Sequence, residues 1–502
     1  MTNEITQIDI NKLPDFIFEI EKKDKDGNTV NIRQFNRIKL ADAMHKAFHT
    51  IYFNETLYIY DKEKHYYRKA ANEIETTIRD FLKSFDVLTP SLTGLINEIR
   101  THLKSMKAFS ENPFDNSNDK IPVKNGIIQI DYEKGTVRLL NHGPEHLFTY
   151  YINADFDEKI GKEPALKILQ QWVSKKDIDV LIQAPAQALY QKMHHVTLKK
   201  SYLFIGETDS AKSTFLDMIA AFIGEQFLAG ASLHDLCNRD FITGALDGKL
   251  IDIYHELPTR ALENVEQFKT LTGSIYNEIH HKGIDGYDGQ IICTFMFSCN
   301  RPPLVNTRVL NDVAFWNRWI IAPFPNSFES DPSWVEKNLT PEFYTSFLNC
   351  VIQFILKIRT DRKLPVTMSI EDTIFEWTTK TNSVGMFVNS SLFGHQPSGG
   401  SRIFYDKDEI FKLYTEWCMK QRTIKQEEIV PDLPTFCKRI HSFGFTPTRT
   451  VIYSPTGPGE TEKTEKERKT CLVSWFIPID KEIQKRILLS KEQTFDLMAV
   501  VA

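Results

Sequence analysis

The sequence predicts an α/β protein built on a phosphate-binding loop, and three stretches carry that expectation. Tyr202-Leu-Phe-Ile205 is a short apolar run stopped by Gly206, and after a polar turn Lys212-Ser-Thr214 opens an amphipathic segment to Ile223. Lys249 to Glu256 and Ile291 to Ser298 are further apolar runs, delivering His255-Glu256 and Cys299-Asn300 at their ends. Short apolar runs alternating with helical patterns describe a parallel sheet flanked by helices. Ligands of such sheets gather at the carboxyl ends of the strands.

A strand, a glycine-bearing loop and a helix with Lys-Ser at its mouth make a phosphate cradle. Loop N–H groups and the first N–H groups of the helix converge on an anion, helped by the helix dipole. Gly206, Thr208, Asp209, Ser210, Ala211, Lys212, Ser213 and Thr214 are therefore the candidate nucleotide-binding residues. Lys212 would reach the β- and γ-phosphates of ATP, and Ser213 would ligate Mg²⁺. The pattern G-x-x-x-x-G-K-[ST] has glycine where this chain has Ala211; helical φ is expected to begin there, so that its methyl group need not clash. Glu256 is placed to polarise a water that attacks the γ-phosphate, and the Asn300 amide to meet both phosphate and water. Each also has a plain reading, as the polar end of an ordinary strand.

Composition narrows the class. A chain of 502 residues should hold three or four domains, with length to spare for a large core. No apolar run is long enough to span a bilayer, and Met1 to Asn11 is polar and acidic, unlike a signal peptide. Seven cysteines without a Cys-x-x-Cys pair suggest neither a disulfide framework nor a zinc knuckle, and fit a cytoplasmic protein. The net charge of −5 argues against indiscriminate nucleic-acid binding, so any DNA contact needs local basic surfaces.

Residues 1–160 read as a mixed α/β domain, with helical patterns at Phe35 to Ile51, Ala71 to Phe85 and Leu92 to Met106. A short hairpin joins Thr56 to Tyr60 with His65 to Tyr67, and strands follow at Ile121 to Val123, Ile127 to Ile130 and Val137 to Leu140. No catalytic spacing is visible there, which suits docking or assembly. Within the 161–330 core, a helix is expected over Ala261 to Leu271. A hairpin then runs from Ile275 to Gln290, its tip His280-His-Lys-Gly283 offering His281 and Lys282 to DNA phosphates in a pore. Adjacent histidines point to opposite faces of a strand, so metal is not expected there. Residues 331–393 read as a helical lid and Gly394 to Ser401 as a linker. The segment 402–485 has two helices before a β-hairpin, the layout of a winged helix. Its second helix carries Lys438 and Arg439 without a neighbouring acid, and Arg449 lies on the following strand; a protein-docking winged helix is the competing reading.

Taken together, the motifs resemble the superfamily 3 helicases, AAA+-like ring motors of small viruses, phages, plasmids and mobile islands, and most of all their phage/plasmid and poxvirus primase–helicase branch. The first motif is matched by Gly206 to Thr214 and the second by Ile253-Tyr-His-Glu-Leu-Pro258. The third is matched by Phe268-Lys-Thr-Leu-Thr-Gly273 and the sensor by Phe297-Ser-Cys-Asn-Arg-Pro-Pro303. Val123-Lys-Asn-Gly-Ile-Ile128 looks like part of the domain that precedes such motors. The resemblance spans residues 35 to 330 and implies a homo-hexamer with ATP at subunit interfaces, where Arg318 would serve as the arginine finger of a neighbour. It also implies Mg²⁺ held by Ser213 and Glu256, because His255 stands where the family usually has aspartate. Asp252, four residues before Glu256, is too far back to substitute by direct contact. No carboxylate motif of a primase is found upstream, so no primase activity is expected.

The expectation is an ATP-driven, ring-forming DNA helicase acting as the replication initiator of a phage satellite or similar mobile element. Single-stranded DNA would pass through the pore, and origin duplex would bind the C-terminal domain. Two other classes compete: a DNA-binding regulator for which nucleotide is only a switch, and a motor that remodels protein.

Overall fold

The computed structural model describes residues 14–489 except 24, 26, 90, 283–285, 382, 389, 391, 396–402, 422–423, 425, 427–428, 442, 444, 456–463 and 475. Its centre is a five-stranded sheet in the order Leu228–Ala229, Ile251–Tyr254, Thr294–Cys299, Ser201–Ile205, Trp319–Pro323, with every neighbouring pair parallel. From Ser201–Ile205 the chain crosses to the far edge, works back to Thr294–Cys299, and then passes to the other side at Trp319–Pro323. That reversal opens a crevice at the carboxyl end of Ser201–Ile205.

Both faces of the sheet are covered, which explains why its strands are almost uninterrupted apolar runs. On one face Tyr202, Phe204, Met296 and Ile320 pack with the helices Glu163–Trp172, Ile178–His194, Lys212–Ile223 and Pro341–Asp361. On the other, Leu203, Ile205, Phe295 and Phe297 meet Phe268, Phe315, Trp316 and Trp377. The helix Ile178–His194 is buried on nearly all sides, and its Gln187 and Gln191 side chains are satisfied internally. Gln187 Nε2 donates to the Lys200 carbonyl (2.8 Å), Tyr202 Oη donates to Gln187 Oε1 (2.7 Å), and Gln191 Nε2 donates to Thr294 Oγ1 (3.1 Å).

Ahead of this core stand the helices Arg37–Phe48, Glu73–Ser84 and Leu92–Met106 and a sheet ordered Tyr66–Lys69, Thr56–Asp61, Ile51–Phe53, Ala108–Phe109. An antiparallel pair, Ile17–Lys23 with Thr29–Phe35, precedes them; its charged, mostly exposed residues gave no periodic apolar signal. The strands Lys120–Val123, Gly126–Asp131 and Thr136–Leu140 form a meander. Ile121, Ile128, Phe148 and Ile152 belong to the same apolar core as Tyr202 and Phe215. Packing thus joins residues 121–156 to the α/β core, and does not leave them in a separate 1–160 unit.

The segment 331–393, expected to form one helical lid, is divided among three cores. Pro341–Asp361 packs its apolar residues against the helices Ile178–His194 and Glu163–Trp172, whereas Trp377 of the helix Ile370–Thr379 sits in the opposite core, its Nε1 donating to the Pro303 carbonyl at 2.8 Å. Val384, Phe387, Val388 and Phe393 pack into the C-terminal unit. Of the expected linker, Gly394 and His395 pair with Ile477 and Phe476, and 396–401 lie outside the described residues. The C-terminal unit holds the helices Lys407–Lys420 and Leu433–His441. Its three-stranded antiparallel sheet places Thr464–Ser474 between Ile403–Tyr405 and Thr446–Pro455.

Two boundaries moved for local reasons. The helix expected from Ala261 begins at Glu266, because Leu262 donates its N–H to the Leu304 carbonyl at 2.8 Å and stays extended. The strand expected from Ile291 begins at Thr294, because the Ile291 N–H still donates to Ile275 in the hairpin. Among the described residues no helix is long and apolar enough to cross a membrane.

Candidate functional site

The loop 206–211 leaves the Ser201–Ile205 strand at the crevice. Gly206 is held closely there: an added Cβ would stand 2.4 Å from the Phe324 carbonyl oxygen and 2.7 Å from Ser210 Oγ. Phe324 N–H donates to Ile205, and Phe328 N–H to Asp209, so the 324–328 segment grips the loop at both ends. Lys212 folds back into the loop, its Nζ donating to the carbonyls of Gly206 (2.8 Å) and Glu207 (2.7 Å) and to Ser210 Oγ (3.0 Å). Burial holds its pKa below that of an ordinary lysine, against the pull of Glu207, Glu256 and Asp209.

Ala211 does not start the helix with helical φ. Its φ is 69° and Asp209 has 59°, both left-handed. The expectation for position 211 was therefore wrong. Alanine occupies a backbone conformation natural to glycine, at a cost of roughly 1–2 kcal/mol. The helix Lys212–Ile223 has no side-chain cap and no acid in its first turn, so no side chain of its own meets its leading N–H groups. Ser213 is exposed at this mouth and Thr214 is half-buried.

Other strand ends bring in the remaining groups. Asn300 Nδ2 reaches Thr208 Oγ1 at 3.4 Å. Glu256 is exposed just beyond Ile251–Tyr254 with φ 53°, and the next residue, Leu257, donates to the Ser298 carbonyl. His255 Nε2 lies 3.5 Å from Asp217 Oδ1. Asp217 escaped the sequence reading, although its spacing of four from Ser213 puts both on one helix face. Asp252 is fully buried and accepts from the Ala231 N–H at 2.7 Å, while its other oxygen has no partner. Burial pushes its pKa up to about 7.

Arg318 lies elsewhere. It precedes Trp319–Pro323 and its carbonyl accepts from Ser201, so it sits at the amino end of the sheet, the edge opposite the loop. Its Nε donates to Thr272 Oγ1 (2.7 Å), Nη2 to the Lys269 carbonyl (3.2 Å) and Nη1 to the Ala314 carbonyl. Burial holds its pKa below the ordinary guanidinium value. Within one chain it does not meet the phosphate loop.

The candidate DNA contacts are dispersed. The strands Tyr276–Ile279 and Tyr287–Gln290 form the hairpin, braced where His280 N–H donates to Thr243 Oγ1 at 3.0 Å. His281 is drawn back to Asp247 (3.4 Å) and Lys282 is exposed; 283–285 lie outside the described residues. Lys438 and Arg439 are exposed on Leu433–His441 and Arg449 on Thr446–Pro455. No cluster of three or more His, Cys, Asp or Glu side chains suited to a metal occurs among the described residues.

Residues 40–178 match the family model described as "D5 N terminal like", and residues 204–312 match a "Family of unknown function (DUF5906)". No curated protein matches the sequence. Among solved structures, an apo A form of the NrS-1 C-terminal region (305–718) aligns with 13% identity over 82% of this chain and 88% of that one, TM-score 0.39. A second apo structure of that region gives 14% identity, coverage of 78% and 83%, and TM-score 0.40. Residues 40–178 are thus similar to the N-terminal domain of phage- and virus-type primase–helicases of DNA replication, and the α/β core behind them to a family without assigned function.

Proposed function

We propose that the chain is an ATP-driven DNA helicase of the ring-forming superfamily 3 type, acting as a replication initiator. The observation that supports this reading is the arrangement of the loop at the crevice. A buried lysine ammonium is held by loop carbonyls beside a helix whose leading N–H groups no side chain caps. ATP would exchange its phosphates for those carbonyls around Lys212, with Gly206 to Thr214 supplying N–H donors. Mg²⁺, which neutralises charge developing on the phosphates, would be held by Ser213 and Glu256. Asp217 and His255 stand close enough to each other to add a second ring of contacts. Glu256 polarises the attacking water and Asn300 reports the γ-phosphate. Arg318 acts across a subunit interface in a homo-hexamer.

DNA enters this reading at two places. The hairpin tip, with Lys282 and His281, tracks a single strand through the pore. The C-terminal unit reads origin duplex as a winged helix, with Lys438, Arg439 and Arg449 on its exposed face. The contacts of a translocating ring must accept every base, so specificity needs a separate reader.

A steady-state ATPase assay with and without single-stranded DNA tests the motor. DNA-stimulated turnover, abolished by Lys212→Ala and stalled with bound ATP by Glu256→Gln, is expected; normal turnover in either variant removes the assignment. One observation favours the switch class instead, namely that Arg318 is already committed to the Thr272 hydroxyl and the Lys269 carbonyl of its own chain. ATP binding without turnover would decide for that class.

A further inference from the structure

Three separate elements converge on one carboxylate. Asp247 closes the helix Ile242–Leu246 and leads towards the strand Ile251–Tyr254, with its side chain 19% exposed. Its Oδ2 accepts from Lys69 Nζ at 3.2 Å and from the Tyr287 hydroxyl at 3.0 Å, and lies 3.4 Å from His281 Nε2. Lys69 belongs to the first domain's strand Tyr66–Lys69, Tyr287 to the second strand of the hairpin and His281 to its tip. Burial and the Asp247 charge raise the pKa of the Tyr287 hydroxyl, which therefore keeps its proton and stays a donor.

The helix beside Asp247 meets the tip just as closely. An added Cβ on Gly244 would stand 2.3 Å from the His280 carbonyl oxygen and 2.9 Å from His281 Nδ1, so only glycine admits this approach. The bond from the His280 N–H to Thr243 is a further tie. At its other end the hairpin is rooted in the core, where His195 Nδ1 lies 2.9 Å from Gln290 Oε1 and the Ile291 N–H donates to Ile275. A carboxylate thus holds the tip at the place where the reading above brings DNA. A phosphate approaching His281 meets the Asp247 charge beside it, and like charges that close oppose each other.

We propose that Asp247 is a latch on the hairpin: it ties the tip to the first domain through His281, Tyr287 and Lys69, and a DNA phosphate must displace it from His281. The inference deepens the reading of the tip as a DNA contact and rests on it. Asp247 is then a positioning residue with an inhibitory effect, standing where a phosphate of the strand would stand. His281 turns to the strand only as Asp247 gives it up.

The probe is fluorescein-labelled (dT)15, titrated with full-length protein by anisotropy. Asp247→Asn keeps the shape of the side chain and removes its charge. It should bind the strand about two- to fivefold tighter, a gain that a merely structural role would not produce. Combined with His281→Ala the gain should disappear, because competition needs both partners. Hydrogen exchange without DNA reads the latch itself: amides of 276–282 and 287–290 should exchange at least about threefold faster in Asp247→Asn. His281→Ala breaks the same contact from the hairpin side and should do likewise; a melting curve checks that each variant folds. Unchanged exchange in both variants overturns the proposal. So does a gain that survives the loss of His281, which would be a plain effect of net charge. Lys282→Ala separates the two readings. Weaker binding by Lys282→Ala with no gain from Asp247→Asn rejects the latch and keeps the tip on the DNA path. Strand binding unchanged by both Lys282→Ala and His281→Ala removes the tip's DNA role, and the competition with it, leaving Asp247 a structural tie.

Discussion

Gly206→Ala is the sharpest perturbation the crevice offers. The new methyl carbon would lie 2.4 Å from the Phe324 carbonyl oxygen and 3.0 Å from Phe324 Cβ, both parts of the adjoining edge strand's continuation. Flexible Ser210 Oγ at 2.7 Å can turn away; a backbone carbonyl cannot. Relief requires the 324 segment to retreat by about 1 Å, which is overpacking of a kind that costs about 1–3 kcal/mol. The retreat also strains the Phe324 N–H to Ile205 bond, 2.7 Å in the native loop, for about another 1 kcal/mol. A loss of about 2–4 kcal/mol follows, together with displacement of the Gly206 carbonyl that Lys212 uses. Urea denaturation should therefore show a lower midpoint, and titration with a fluorescent ATP analogue at least about tenfold weaker binding. A variant within about 0.5 kcal/mol of wild type and with unchanged nucleotide affinity would refute the close contact, and with it the loop geometry on which the functional reading stands.

Ala211→Gly should be tolerated, since relief of left-handed strain offsets glycine's greater chain entropy, whereas Ala211→Val should cost at least about 1–2 kcal/mol in the same denaturation assay. Asp252 is protonated more readily in the fold than in the unfolded chain. Its contribution is therefore greatest below pH 4 and declines as pH rises towards 7, by at most about 1.4 kcal/mol per unit. Asp252→Asn should flatten that slope, read from denaturation midpoints at pH 4.5 and 7.5; an unchanged slope would mean that Asp252 titrates normally. Mixing Arg318→Ala with Lys212→Ala protein should restore part of the ATPase if Arg318 acts in a neighbour, where such fingers contribute about 10³–10⁵ in rate. Persistent inactivity in mixed assemblies that demonstrably form would assign Arg318 to its own chain. Arg439→Ala should either relax preference for origin DNA or lower the salt slope of binding by about 1; unchanged competition binding at two salt concentrations would move recognition off this helix.

What the sequence by itself determined is the set of elements whose signal is local. The apolar run before Gly206, the amphipathic helix after Lys212 and the strands Ile251–Tyr254 and Thr294–Cys299 fall on the stretches their patterns marked, the strands with shifted ends, because the faces an element buries are written into its own consecutive residues. The helices at 37–48, 73–84 and 92–106 were legible for the same reason, each keeping its apolar residues on one stripe. Tertiary structure decided everything that depends on which surfaces meet. Pro341–Asp361 has the composition of any buried helix, and only packing shows that it docks on the helices Glu163–Trp172 and Ile178–His194. The left-handed φ of Ala211 lies in a loop bonded at Ile205 and Asp209 by the 324–328 segment, and no propensity of alanine would suggest it. Asp217 enters the site through a neighbour 38 residues away in the chain, His255. Side-chain chemistry and spacing travel with the chain; the meeting of distant surfaces is settled only when the cores close.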